Sequence, residues 1–160
     1  MHQVKANGAS IPALGLGTFT LKGGECVTMV REALAQGYRH IDTARAYGNE
    51  AEVGEGIREA GLARDDIFVT TKVWWTDLAP DDLRRSAENS LADLGLDAVD
   101  LLLVHWPNPD IPLAGTMAAL AGVRQDGLAR HIGVSNFTTR HIEEALAICP
   151  VPLAVNQVEY

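Results

Sequence analysis

Val99-Asp100-Leu101-Leu102-Leu103-Val104-His105 is the stretch on which the fold turns. It is too short for a typical helix and apolar on both of its alternating faces, so it reads as a strand covered on two sides, the pattern of a parallel sheet. Five other runs of the same buried kind flank it, at Leu14 to Thr18, Arg39 to Thr43, Phe68 to Val73, His131 to Val134 and Leu153 to Val158. Between them the spacing changes to that of helices. Val27, Val30 and Leu34 precede Gly37, which suits a helix end, and Leu83, Ala87, Leu91 and Leu94 follow Pro80, Asp81 and Asp82, which suit a helix start. Asn49 to Ala60, Leu113 to Gln125 and Thr139 to Ile148 are further helical stretches. The chain is thus a strand-helix unit of about thirty residues, repeated, and parallel strands require such crossovers. Ahead of the first unit, Asn7-Gly8 separates Val4 to Ala6 from Ser10 to Pro12, which predicts a small β-hairpin because both turn residues tolerate positive φ.

An α/β chain of this kind is either an open doubly wound sheet or a barrel that closes with eight strands. The dinucleotide fingerprint of the open sheet fails, since Gly15-Leu16-Gly17 is followed three residues later by Thr20. Crowding of the backbone at a strand start accounts for these glycines. The strand ends are more informative. Asp42, Lys72, His105 and the pair Ser135-Asn136 recur about thirty residues apart, each closing an apolar run. In a (β/α)8 TIM barrel all those ends open on one face, so residues a whole unit apart meet around one pocket. Tyr47, in the loop after Asp42, and Gln157, near the end of the sixth run, fall at the same mouth. Taken one at a time, each has an ordinary role: a cap or loop acceptor for Asp42, a snorkelling Lys72, a core His105, a packing Tyr47. Only their register argues for chemistry.

Composition narrows the rest. With 160 residues and 47% hydrophobic content the chain is read as a single domain, residues 1–160. The formal net charge of −8 disfavours a nucleic-acid partner, which calls for a basic face. No run approaches the roughly 18 apolar residues of a membrane span, and the opening residues lack the pattern of a secretion signal, so a cytoplasmic location is expected. For the same reason the glycosylation-type triplet Asn136-Phe137-Thr138 carries no weight. Cys26 and Cys149 have no metal-type spacing, and neither a metal nor a disulfide framework is expected.

Tyr47, Lys72, Asp42 and His105 together suit proton donation by a phenol. Tyrosine titrates at about 10 in isolation, so a neighbouring ammonium that stabilises the phenolate would make it a better acid, each unit being about 1.4 kcal/mol. Lys72 supplies that charge in this reading, Asp42 holds Lys72, and neutral His105 donates to a substrate oxygen. None of the four can deliver a hydride, so a reduction needs a cofactor.

The ordered motifs Gly15-Leu16-Gly17-Thr18, Tyr38-Arg39-His40-Ile41-Asp42-Thr43-Ala44, Tyr47-Gly48-Asn49-Glu50, Leu103-Val104-His105-Trp106-Pro107, Ile132-Gly133-Val134-Ser135-Asn136-Phe137 and Val155-Asn156-Gln157-Val158-Glu159-Tyr160 resemble the aldo-keto reductase family, most closely its bacterial diketogluconate and methylglyoxal reductase-like members. The resemblance implies reduction of aldehydes and ketones with NADPH (NADP) in a TIM barrel. It implies Tyr47 as proton donor, Asp42 and Lys72 as the groups that tune it, and His105 as the residue that orients the carbonyl. Ser135, Asn136 and Gln157 would hold the nicotinamide carboxamide, with Gly17 and Thr18 as further cofactor contacts. Phe19, Trp74, Trp75 and Trp106, with His105, would wall the pocket for a small-molecule carbonyl substrate.

Family barrels have eight units, whereas this sequence holds about six, and the expectation is an incomplete barrel belonging to a longer enzyme. Unpaired edges on the first and sixth strands would also permit self-association. A non-catalytic cofactor-binding protein on the same fold and an assembly fragment without cofactor are the competing functional readings.

Overall fold

The computed structural model describes residues 2–159; Met1 and Tyr160, the two ends of the expected domain, lie outside the described residues. Strands β1 (Gln3–Ala6) and β2 (Ala9–Pro12) form the antiparallel hairpin, with Asn7 and Gly8 at φ 43° and 89° in its turn. The main chain then runs β3 (Leu16–Gly17), α1 (Gly23–Ala35), β4 (His40–Asp42), α2 (Glu50–Ala60), β5 (Phe68–Val73), α3 (Pro80–Leu94), β6 (Val99–Val104), α4 (Leu113–Gln125), β7 (Ala129–Ser135), α5 (Thr139–Ile148) and β8 (Leu153–Gln157). The six strands β3 to β8 are parallel and lie side by side in chain order. That order decides between the two architectures. A doubly wound sheet reverses its strand order at a switch point, and no reversal occurs here, so the sheet is that of an incomplete (β/α)8 barrel.

Side chains on successive strand residues point to opposite faces, and the core divides accordingly. Leu102, Val104, Ile41, Val69, Ile132 and Val134 face outward and pack under the helices with Val30, Leu34, Val53, Leu83, Met117 and Leu120. Phe68, Leu101 and Leu103 make a smaller inner cluster, joined by Ala154, Val155 and, from the hairpin, Ile11. The hairpin therefore stoppers the end of the barrel where the strands begin. Asn7, at its tip, donates from Nδ2 to the Leu153 carbonyl at 2.7 Å, tying the hairpin to the last strand.

The strand at Leu14 to Thr18 is shorter than expected. Only Leu16 and Gly17 pair, with Ile41 and Asp42, because Leu14 and Gly15 are exposed and the strand has one neighbour among the described residues. Helix α2 sits unusually close to both of its neighbours. A Cβ on Gly54 would stand 2.3 Å from the Leu94 carbonyl oxygen of α3, and one on Gly56 would stand 2.8 Å from the Val27 carbonyl oxygen of α1. Each glycine costs about 1 kcal/mol of helix propensity and gains backbone contact in return. The seat of α2 matters because the helix starts three residues after Tyr47. No described helix is long and apolar enough to cross a membrane.

Candidate active site

The carboxyl ends of β4 to β8 bring Asp42, Lys72, His105, Ser135 and Gln157 to one mouth, as the strand register predicts. Tyr47 joins them from a single 3-10 turn, Arg45–Tyr47, that Gly48 ends in the left-handed region at φ 61°. Together they line a cavity of about 850 Å³ whose walls include Phe19, Trp74 and Trp106. Phe19 is 68% exposed and Trp106 41%, large apolar surfaces left open at the rim.

Lys72 is the centre of the arrangement. It is 2% exposed, so its ammonium must find partners inside the protein. An ammonium has three N–H groups, and each has an acceptor: Asp42 Oδ1 at 2.5 Å, the Thr43 carbonyl at 2.9 Å and Tyr47 Oη at 3.4 Å. Because Tyr47 Oη accepts from Lys72, its own O–H is free to point elsewhere, and the open direction is the cavity. Burial lowers the Lys72 pKa from its ordinary value, with the Asp42 carboxylate opposing. Asp42 also accepts from Gln157 Nε2 at 3.0 Å, a bond that ties the last strand to the second strand of the sheet.

The Tyr47 phenol behaves differently from the sequence expectation. Burial first and the Asp42 carboxylate second push it up to about 12, not down. The physical reason is that burial disfavours the charged phenolate, and the nearby Asp42 carboxylate repels it. In this structure Tyr47 is therefore a neutral phenol with its proton in place across the whole physiological range.

His105 stands against Tyr47 and Trp74, with ring centroids 5.6 and 5.1 Å apart and both pairs edge-on. Burial, and then the Lys72 charge, push its pKa down to about 4. Its Nδ1 is buried with no hydrogen-bond partner. Burying an unpaired N–H is costly, so the tautomer that leaves Nδ1 bare and carries the proton on Nε2 is favoured.

Ser135 and Asn136 are in direct contact, Asn136 Nδ2 donating to Ser135 Oγ and to the His105 carbonyl, each at 3.1 Å. Asn136 adopts φ 59°, a conformation asparagine tolerates better than most residues, and this turns its side chain back over the strand ends. Gly17, Thr18 and Trp75 do not line the cavity. Thr18 is fully buried and donates through both its N–H and its Oγ1 to the Asp42 carbonyl, so it braces Asp42. The Trp75 carbonyl accepts from Asn108 instead. Arg45, Ala46 and Asp77 line the cavity without having been singled out in the sequence, and Val158 and Glu159, quoted only as part of the last motif, line it as well. The only signal for Arg45, Ala46 and Asp77 was proximity to the motifs. No group of metal-ligating side chains occurs among the described residues.

The sequence profile of the Aldo/keto reductase family matches residues 13–160. The chain belongs to this family. Among aldo-keto reductases it is 45% identical over 153 residues to the methylglyoxal reductase DkgB of Escherichia coli O157:H7, covering 94% of this chain and 57% of that one. A solved structure provisionally named 2,5-diketo-D-gluconic acid reductase B superposes with a TM-score of 0.97 at 52% identity, over 100% of this chain and 57% of the other. A Bombyx mori aldo-keto reductase in complex with NADP superposes with a TM-score of 0.90 at 37% identity, over 99% and 58%. The chain thus spans somewhat more than half the length of the aldo-keto reductases it matches.

Proposed function

We propose that the protein is an NADPH-dependent reductase of small aldehydes and ketones, in which Tyr47 is the proton donor. The observation that carries this reading is the three-way coordination of the buried Lys72 ammonium by Asp42, Thr43 and Tyr47, with Tyr47 itself lining the cavity, so that its O–H is available to a substrate there. The methylglyoxal reductase relative makes methylglyoxal the natural first substrate to try.

The residues at the mouth fit the nicotinamide end of a dinucleotide. A carboxamide needs both an acceptor and a donor, and the Ser135 hydroxyl, the Asn136 amide and the Gln157 amide oxygen offer both within one polar corner of the cavity. A bound nicotinamide cofactor would supply the hydride. The protein's own residues do the remaining work. His105, neutral above about pH 4, donates from Nε2 to the substrate carbonyl oxygen and fixes its position. As negative charge grows on that oxygen, Tyr47 releases its proton to it, and the nascent phenolate is met by Lys72. A phenol pushed up to about 12 remains a far stronger acid than an alcohol, so the transfer runs downhill. Phe19, Trp74 and Trp106 give the substrate an apolar wall.

The test is NADPH oxidation with methylglyoxal by the intact protein, alongside a Lys72→Met variant. Turnover that is lost in the folded variant supports the reading; a variant as active as the parent, or a folded parent that neither binds NADPH nor reduces any carbonyl, overturns it.

A further inference from the structure

Asn49 is wholly buried and stands at the start of α2, where an asparagine side chain ordinarily caps its own helix. It makes no such bond. Instead its Nδ2 donates to the Thr18 carbonyl at 2.8 Å and to the Leu21 carbonyl at 3.0 Å, and its Oδ1 accepts from Thr43 Oγ1 at 3.0 Å. The side chain is thus spent on two other loops, those that follow β3 and β4. Both lead to the reacting groups. Thr18 holds the Asp42 carbonyl through two bonds, and the Thr43 carbonyl holds the Lys72 ammonium. Tyr47 lies two residues before Asn49, and the close seat of α2 through Gly54 and Gly56 keeps Asn49 where it is.

We infer that Asn49 is a positioning residue, a single buried amide that sets the spacing of Asp42, Lys72 and Tyr47; the inference rests on the reductase reading above. Only an amide can do this, because the site needs two donors and one acceptor on one side chain. Aspartate offers no donor to the Thr18 and Leu21 carbonyls, and alanine offers nothing. Misplacement of a reacting group by about 1 Å is enough to lose on the order of 100-fold in rate.

The experiment uses the intact protein with Asn49→Ala and, as the milder change, Thr43→Val, which removes one hydrogen bond and keeps the shape of the side chain. Five quantities are read: kcat and KM for methylglyoxal, the pH profile of kcat, the NADPH Kd by fluorescence, and the melting temperature. The expected result is a kcat lowered by about tenfold or more in Asn49→Ala and by a few-fold in Thr43→Val. KM and Kd stay within about threefold, and the alkaline limb of the kcat profile moves because the Thr43 carbonyl that holds Lys72 is no longer fixed in place. If Asn49→Ala does not fold, Thr43→Val decides. A folded variant that keeps kcat within twofold, or loses it only in proportion to Kd, overturns the inference while leaving the reductase reading intact. A parent protein that reduces no carbonyl overturns that reading, and the inference with it.

Discussion

Each end of the sheet holds a carboxylate among cations, and the two are treated differently. At the end where the strands begin, Asp100 is nearly fully buried and accepts from Arg64 at 2.7 Å, from the Val69 N–H at 2.9 Å and from Arg130 at 3.1 Å. The hairpin lies over this end, and a cavity of about 470 Å³ there is lined by Gln3, Ser10, Arg39 and Arg130. At the end where the strands stop, Asp42 holds one buried lysine and one glutamine, a histidine nitrogen goes unpaired, and aromatic rings stand open to solvent. One end satisfies its polar groups; the other keeps some in reserve. The comparison teaches that the polar groups are satisfied at one end of the strands and left available at the other, which is the division of labour the proposed chemistry requires.

The comparison can be broken most directly at Lys72. Lys72→Met is expected to lower turnover with NADPH and methylglyoxal by on the order of 1000-fold with a native circular dichroism spectrum, since acid-base positioning of this kind contributes about 100- to 10,000-fold. Retained turnover would remove the mouth from the chemistry. Asp100→Ala should do the reverse. It leaves the Val69 N–H buried without an acceptor, while Arg64 and Arg130 are exposed enough to turn to water, so urea denaturation should show a loss of about 2 kcal/mol with kcat within about twofold. A large loss of kcat there would mean that the two ends are coupled.

The third expected outcome concerns pH. The folded-state pKa of His105 lies near 4, below its ordinary value of 6.5, so the unfolded chain takes up a proton first as pH falls. The stability associated with keeping His105 neutral is present above about pH 6.5 and is lost as pH falls from there toward 4. His40, also lowered by burial, acts in the same direction. The urea midpoint should therefore drop through this window, and His105→Gln should flatten part of the drop; an unchanged slope would show that His105 is not held neutral. The smallest effect is expected at the hairpin tip, where Asn7→Ala removes one hydrogen bond to Leu153 and a residue suited to positive φ. A stability loss of about 1 kcal/mol without change in kcat is expected by thermal denaturation.

Much of this was legible from the sequence because it depends on local pattern. The hairpin followed from Asn7-Gly8, and Phe68–Val73 formed as a strand where its buried run said it would. Asp42, Tyr47, Lys72 and His105 came together because the repeat length places equivalent strand ends on one face. The strand around Leu16 came out shorter because pairing needs neighbours, which a single run cannot reveal. The Asp100 network had a sequence signal, one acid inside an apolar run, but its partners Arg64 and Arg130 lie 36 and 30 residues away.

The sequence by itself determined the strand-helix repeat, the family and the identity of the groups at the mouth, since periodicity and ordered motifs are properties of the chain alone. Only the tertiary structure decided what state those groups are in. Tyr47 is pushed up to about 12, Asn49 braces loops instead of capping its helix, and Gln157 holds Asp42. Charge and hydrogen bonding depend on distance and burial, and both are set by residues that meet from different parts of the chain.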